Sequence, residues 1–315
     1  MTVRERTTAL DPQVADLIDL AASTIAGPAE PTPQDRRDLA DVVAPLFRGT
    51  VDESEFAPVT ISDEDVVSRD GATVRLRTYR PIDQEVEGTI LYMHGGGWVA
   101  GSIQSYEPEL RRLVTATGMS VAAVEYRLSP EHQRPAASED CLAAARAVLA
   151  RGSVLAVAGD SAGGHLALEC AATLAREGVD LAALLLFYPV VDPAAFENVS
   201  YRENGRDFLL TTDDMSFYWK SYLGTATTTA FVEESPFSAE RVRDLPPTVL
   251  VTAGFDPLRD EGRELAALLV RADVPLAYLP NPTLTHGFQQ MVPRVRAARV
   301  AVDAALAAFR SFVEH

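Results

Sequence analysis

Apolar residues recur at helical spacing in two stretches near the start of the chain, from Pro12 to Ile25 and from Pro33 to Phe47. The spacing predicts two amphipathic helices, separated by the Gly27-Pro28-Ala29-Glu30-Pro31 break. From about Thr73 the pattern changes to short apolar runs alternating with helical stretches: Val74 to Tyr79, Gly88 to Met93, Ser120 to Tyr126, Val154 to Ala158, Leu181 to Tyr188, Thr248 to Ala253, and Leu276 to Leu279. Several runs are apolar at successive positions, as strands covered by helices on both sides must be. The alternation predicts an α/β fold with a mainly parallel central sheet flanked by helices. Between Asp192 and Leu245 the rhythm stops, and Thr211-Thr212-Asp213-Asp214-Met215 leads into an aromatic helix that ends at Gly224. Thr212 suits the N-cap, Asp213 and Asp214 suit the positive end of the helix dipole, and Gly224 suits the stop. Such an insertion between core strands reads as a cap over a site, with Phe217, Tyr218 and Trp219 also packing it down.

At 315 residues the chain suits one α/β domain with an added subdomain. Its 47% hydrophobic and 23% charged residues are those of an ordinary globular protein. The net charge of −17 changes the picture more. An acidic surface repels phosphate backbones and anionic headgroups, and no basic cluster offsets it, so nucleic-acid and peripheral membrane partners are not expected. A neutral or apolar small molecule fits better. Met1 to Arg6 is charged and leads into no continuous apolar stretch, and no segment approaches a membrane span. Cys141 and Cys170 fall in alanine-rich helical patterns as small buried thiols. The expectation is a reduced, cytoplasmic protein, with a symmetric homodimer as the commonest oligomer.

The chemistry centres on Val154 to Gly164, an apolar run that ends in Gly159-Asp160-Ser161-Ala162-Gly163 and passes into a helix. A serine on a sharp strand-to-helix turn has its hydroxyl pushed out above the sheet, which makes Ser161 the candidate nucleophile. A hydroxyl needs a base in reach and a third group to orient that base. Asp256 follows the run Thr248 to Ala253, and His286 follows the next strand in a loop, giving the order Ser, Asp, His. Asp256 also suits a helix N-cap before Pro257. Asp260 and Glu261 lie a turn into that helix and are weaker rivals. His165, at i+4 from Ser161, points into helix packing.

Attack by serine creates an oxyanion, which needs donors placed where the charge develops. His94-Gly95-Gly96-Gly97-Trp98 follows a strand and offers backbone N–H groups without side chains, and Ala162 adds another at a helix N-terminus. His94 reads as structural. Two other readings are open. Gly95, Gly97 and Ala100 fit a loose dinucleotide-binding pattern, although Trp98 would crowd a pyrophosphate and Ser161 and His286 would go unexplained. A hydrolase-like fold can also serve as a non-catalytic ligand-binding protein, usually after losing a triad member; all three candidates are present here.

Taken together, these stretches resemble the bacterial hormone-sensitive-lipase family (family IV) of esterases within the α/β-hydrolases. His94 to Trp98 is similar to its oxyanion motif, Gly159 to Gly164 to its nucleophile motif, and Asp256-Pro257-Leu258-Arg259-Asp260 and His286-Gly287-Phe288 to the remaining triad segments. Tyr126 to His132 with Pro135-Ala136-Ala137 is similar to a segment between them. The resemblance implies hydrolysis of carboxylic esters by Ser161, His286 and Asp256 through an acyl-enzyme, with no metal or organic cofactor. It implies that Gly95 and Gly96 join Ala162 as oxyanion donors. It further implies a core of residues 51–191 and 246–315, capped by the helices of 1–50 and the insertion 192–245. Short acyl chains are expected, with Trp98, Phe208, Tyr218 and Trp219 as pocket residues. One departure stands out: Leu279-Pro280-Asn281-Pro282-Thr283-Leu284-Thr285 looks longer than the family's link to the histidine and carries two prolines.

Overall fold

The computed structural model describes residues 8–24, 31–83, 88–225 and 239–314. The Met1 to Arg6 segment, Ile25 at the end of the first helical pattern, residues 27–30 of the break and residues 226–238 of the insertion lie outside the described residues.

Eight strands form one sheet: β1 (Val59–Val67), β2 (Thr73–Pro81), β3 (Thr89–Met93), β4 (Ser120–Glu125), β5 (Leu155–Asp160), β6 (Leu184–Phe187), β7 (Thr248–Phe255) and β8 (Leu276–Thr285). They run in the order β1-β2-β4-β3-β5-β6-β7-β8. β1 and β2 pair antiparallel, as do β2 and β4, and every pairing from β4 through β3 to β8 is parallel. The helices are α1 (Pro12–Thr24), α2 (Pro33–Arg48), α3 (Glu107–Thr117), α4 (Ala136–Leu149), α5 (Ala162–Arg176), α6 (Val199–Asn204), α7 (Thr212–Leu223), α8 (Ala239–Val242), α9 (Arg259–Arg271) and α10 (Arg296–Val313).

Alternation along the central strands supplies two cores, because successive side chains leave a strand on opposite faces. Leu91, Val124, Val157, Leu186 and Leu250 pack with α4, α5 and α9 on one face. Ile90, Val121, Ala156, Leu185 and Val249 pack with α1, α3 and α10 on the other. Cys141 and Cys170 are buried free thiols in α4 and α5.

Two elements differ from the sequence reading. β1 was absent from it, because this edge strand carries Asp63, Glu64 and Asp65 and buries only Val66. An edge strand with solvent on most positions shows little apolar alternation, and its charges discourage pairing with other chains. β8 does not end at Leu279 but runs to Thr285, so the two-proline segment is strand rather than loop. It stays paired to β7, Thr252 opposite Pro280 and Ala253 opposite Asn281, with an irregularity before Phe255 meets Thr285. β8 is an outer strand, and there a proline's missing donor can face away from the ladder. The cap of α7 also shifts by one residue. Thr211, not Thr212, is the N-cap; its hydroxyl accepts from the Asp214 N–H while the Asp214 carboxylate accepts from Thr211. Gly224 ends the helix as expected, at a φ of 61°.

Candidate active site

Ser161 sits between β5 and α5 with φ 54° and ψ −122°. A left-handed φ costs a non-glycine residue on the order of 1–3 kcal/mol and persists only when neighbours enforce it. Here the Ser161 N–H donates to the Phe187 carbonyl at 2.9 Å, and its own carbonyl accepts from Val190 and His165, each at 3.1 Å. Gly163 completes the turn by close approach: a Cβ there would collide with the Met93 carbonyl. The hydroxyl is thereby aimed off the carboxyl ends of the parallel strands, where sites on such sheets collect.

The structure brings the three sequence candidates together. His286 Nε2 lies 2.9 Å from Ser161 Oγ, and His286 Nδ1 lies 2.8 Å from Asp256 Oδ2. A carboxylate can only accept, so Nδ1 carries the proton and Nε2 is left to accept from the serine. Asp256 is fully buried. Its Oδ1 accepts the Leu258 N–H at 2.8 Å, so the same carboxylate both orients the imidazole and caps the turn that enters α9. Asp260 pairs instead with Arg259, and Glu261 is buried on the Val191 N–H. His165 is buried, with Nδ1 at 3.2 Å from the Val190 carbonyl, turned away from the serine hydroxyl.

The glycine loop requires a correction. The Gly95 N–H donates to Asp160 Oδ1 at 2.9 Å and is already spent, so it cannot meet an oxyanion. Gly96, Gly97 and Ala162 donate to no other described residue, and Gly96 and Gly97 line the cavity beside Ser161. Sequence reasoning chose Gly95 because it could not see where Asp160 reaches. That carboxylate also accepts from Tyr92 at 2.8 Å and Tyr106 at 2.9 Å. Burial raises its pKa to about 6, against the pull of those donors. His94 holds the loop: its ring nitrogen Nδ1 donates to the Gly95 carbonyl at 2.8 Å, it stacks on Tyr126, and burial lowers its pKa to about 4, which keeps it neutral. No helix opens at Ala100; the next begins as a single turn at Gln104. The strand-to-helix geometry of a dinucleotide site is therefore missing.

A cavity of about 190 Å³ lies over Ser161 and His286, walled by Ala40, Val43 and Ala44 of α2, Tyr106, Leu210 and Tyr218. Of the aromatic residues expected there, only Tyr218 lines it. Its ring lies so close above Gly97 that a Cβ on that glycine would collide with it. Trp98 is completely buried and stacks on Tyr222 at 4.3 Å between centroids, with Trp219 at 4.7 Å. Trp219 is itself 4% exposed. These two large apolar surfaces gain more from burial in the core than from lining a wet cleft. Phe208 packs on Phe255 at 5.0 Å, and its carbonyl accepts from the Thr285 hydroxyl. Tyr188, which the sequence reading passed over, lies with its ring 4.7 Å from that of His286. Its position directly after β6, at a carboxyl strand end, was the available signal. Among the described residues no cluster of His, Cys, Asp and Glu could hold a metal ion, and no helix is long and apolar enough to cross a membrane.

A hydroxyl, an imidazole and a buried carboxylate in this chain order, on the carboxyl edge of a parallel sheet, define a serine hydrolase of the α/β class. The chain belongs to the alpha/beta hydrolase fold family, whose profile matches residues 90–290. An ethyl acetate hydrolase of Pseudomonas putida is 33% identical over 259 residues, covering 78% of this chain and 80% of that protein. A carboxylesterase of Mycobacterium tuberculosis is 33% identical over 288 residues, covering 87% and 89%. Among solved structures, a hyperthermophilic esterase of the archaeon Pyrobaculum calidifontis superposes with a TM-score of 0.87 at 31% identity, over 96% of this chain and 99% of that one.

Proposed function

We propose that this protein is a serine carboxylesterase that hydrolyses short- to medium-chain carboxylic esters, in the hormone-sensitive-lipase branch of its family. The observation that carries the reading is the unbroken relay from Ser161 Oγ through His286 to Asp256, with contacts of 2.9 and 2.8 Å. His286 Nε2 takes the hydroxyl proton as Ser161 Oγ bonds to the ester carbonyl carbon, and the carbonyl electron pair moves onto oxygen. The N–H groups of Gly96, Gly97 and Ala162 meet that oxyanion. Collapse expels the alcohol, which leaves with the proton from His286. Water, deprotonated by the same imidazole, then attacks the acyl-enzyme and releases the acid and Ser161. Asp256 holds the imidazolium in register through Nδ1.

The small cavity and the Tyr218 ring over Gly97 favour short acyl groups. In this reading α2 and the 192–245 insertion act as the cap, supported by the α2 and Tyr218 contacts with the cavity. The net charge of −17 favours a neutral small-molecule ester over nucleic acid, and two buried free thiols suit a cytoplasmic setting. The test is turnover of nitrophenyl esters from acetate to decanoate by the protein and by Ser161→Ala. The expected result is activity falling with chain length and lost by roughly a million-fold in the variant. Wild-type turnover in purified Ser161→Ala sinks the reading, and ligand binding with no turnover in the unmutated protein supports a receptor instead.

A further inference from the structure

The catalytic acid is held by the insertion as well as by the core. α6 presents Ser200, Glu203 and Asn204, spaced i, i+3 and i+4 and so sharing one face. That face grips the Gly254 to Asp260 segment that carries Asp256. Asn204 Nδ2 donates to the Asp256 carbonyl at 2.9 Å and to the Gly254 carbonyl at 3.3 Å. Ser200 Oγ donates to the Pro257 carbonyl at 2.6 Å, the Ser200 N–H donates to Asp260 Oδ2 at 2.8 Å, and Arg259 Nη1 donates to Glu203 Oε2 at 2.9 Å. Both Ser200 and Asn204 are fully buried. The strand ladder is interrupted at Gly254 and ends after Phe255, so these carbonyls depend on other donors. Arg259 gives its N–H to the Asp256 carbonyl at 3.2 Å and its Nη1 to the Gly254 carbonyl at 3.4 Å, and α6 adds Asn204 to both. A second tie reaches the histidine side: the Thr285 hydroxyl, one residue before His286, lies 2.8 Å from the Phe208 carbonyl of the insertion and 3.0 Å from the Phe255 carbonyl of β7.

We propose that α6 is a positioning clamp for the catalytic acid, in which Asn204 fixes the backbone of Asp256 so that its carboxylate meets His286 squarely. This rests on the triad reading above. Asn204 is not among the residues lining the cavity, so it is a positioning residue and acts only through Asp256. The insertion then sets the rate of the chemistry as well as the shape of the substrate cavity.

The experiment is steady-state kinetics on a nitrophenyl acyl ester for Asn204→Ala, Asp256→Asn and the double variant, with folded protein verified by circular dichroism. A misplacement of about 1 Å in a catalytic group can cost on the order of 100-fold in rate, so Asn204→Ala is expected to lower kcat by roughly 10- to 100-fold with KM changed less than about twofold. In the Asp256→Asn background the same substitution should cost less than about twofold, because groups acting as a unit are not additive. Ser200→Ala removes a single hydroxyl and serves as the second variant should Asn204→Ala not fold; its expected pattern is the same at roughly 3- to 10-fold. Wild-type kcat in folded Asn204→Ala, or in folded Ser200→Ala where that variant stands in, overturns the clamp, as do equal losses in the two backgrounds. Should Asp256→Asn itself keep full kcat, the triad reading fails first and the clamp with it.

Discussion

Asp160 stands one residue before the nucleophile and does no proton transfer, yet three donors converge on it: the Gly95 N–H and the hydroxyls of Tyr92 and Tyr106. Through Gly95 it fixes the glycine loop against the turn that carries Ser161. Burial lifts its pKa to about 6, whereas an aspartate in an unfolded chain titrates near 3.9. The folded value is the higher, so the stability that protonation lends the native state is complete below about pH 4 and is lost as pH rises through about 6. Urea unfolding of the protein and of Asp160→Asn between pH 4 and 7 should therefore diverge, the protein losing on the order of 3 kcal/mol relative to the variant as pH rises. A pH-independent gap would assign the cost elsewhere. The residue type was legible in the chain, but its role was not. Nothing in Gly159-Asp160-Ser161 says which amide of a loop some sixty-five residues earlier the carboxylate will occupy, and that contact takes up the Gly95 N–H.

At the level of elements, α2 shows how a helix read from periodicity becomes part of a site. Its apolar face supplies Ala40, Val43 and Ala44 to the cavity, and arginines hold it in place. Arg36 pairs with Asp214 of α7 and lies over the Phe217 ring, Arg37 reaches the Val99 and Ser129 carbonyls, and Arg48 is buried against Glu109 of α3. The last pair is closed to solvent, with side-chain exposures of 8% and 5%. Burial pushes the Glu109 carboxyl upward while Arg48 pulls it back. Arg48→Ala strands that carboxyl without its partner, and the expected loss is about 3–5 kcal/mol in chemical unfolding. Arg48→Met with Glu109→Leu should recover most of it, because replacing both charges by apolar groups removes the desolvation cost along with the attraction. No loss in Arg48→Ala would locate the helix's anchorage in its apolar face alone. The same contrast explains β1 and β8: apolar periodicity marks elements that bury a face, and fades where an edge strand is stabilised by pairing and ion pairs such as Arg77 with Asp63.

For the whole molecule, the charge of −17 is the property that acts over distance. It predicts that kcat/KM on a cationic choline-type ester falls as salt rises from about 10 mM to about 500 mM, where the Debye length shrinks from about 30 Å to under 5 Å. A neutral ester of equal size should show little change, and a rise with salt for the cation would reveal a positive field at the cavity mouth. The sequence alone determined the doubly covered parallel sheet, since strands such as Leu184–Phe187 buried at every position can exist only between two helical layers. It also determined the trio Ser161, Asp256 and His286, because each follows a strand at the edge where a parallel sheet gathers its loops. Tertiary structure decided which face each remaining side chain took. Trp98 and Trp219 went into the core and Tyr218 onto the cavity, Gly95 was spent on Asp160, and Asn204 closed on the loop of Asp256. Those outcomes depend on pairings between segments distant in the chain, and local periodicity carries no record of the partner.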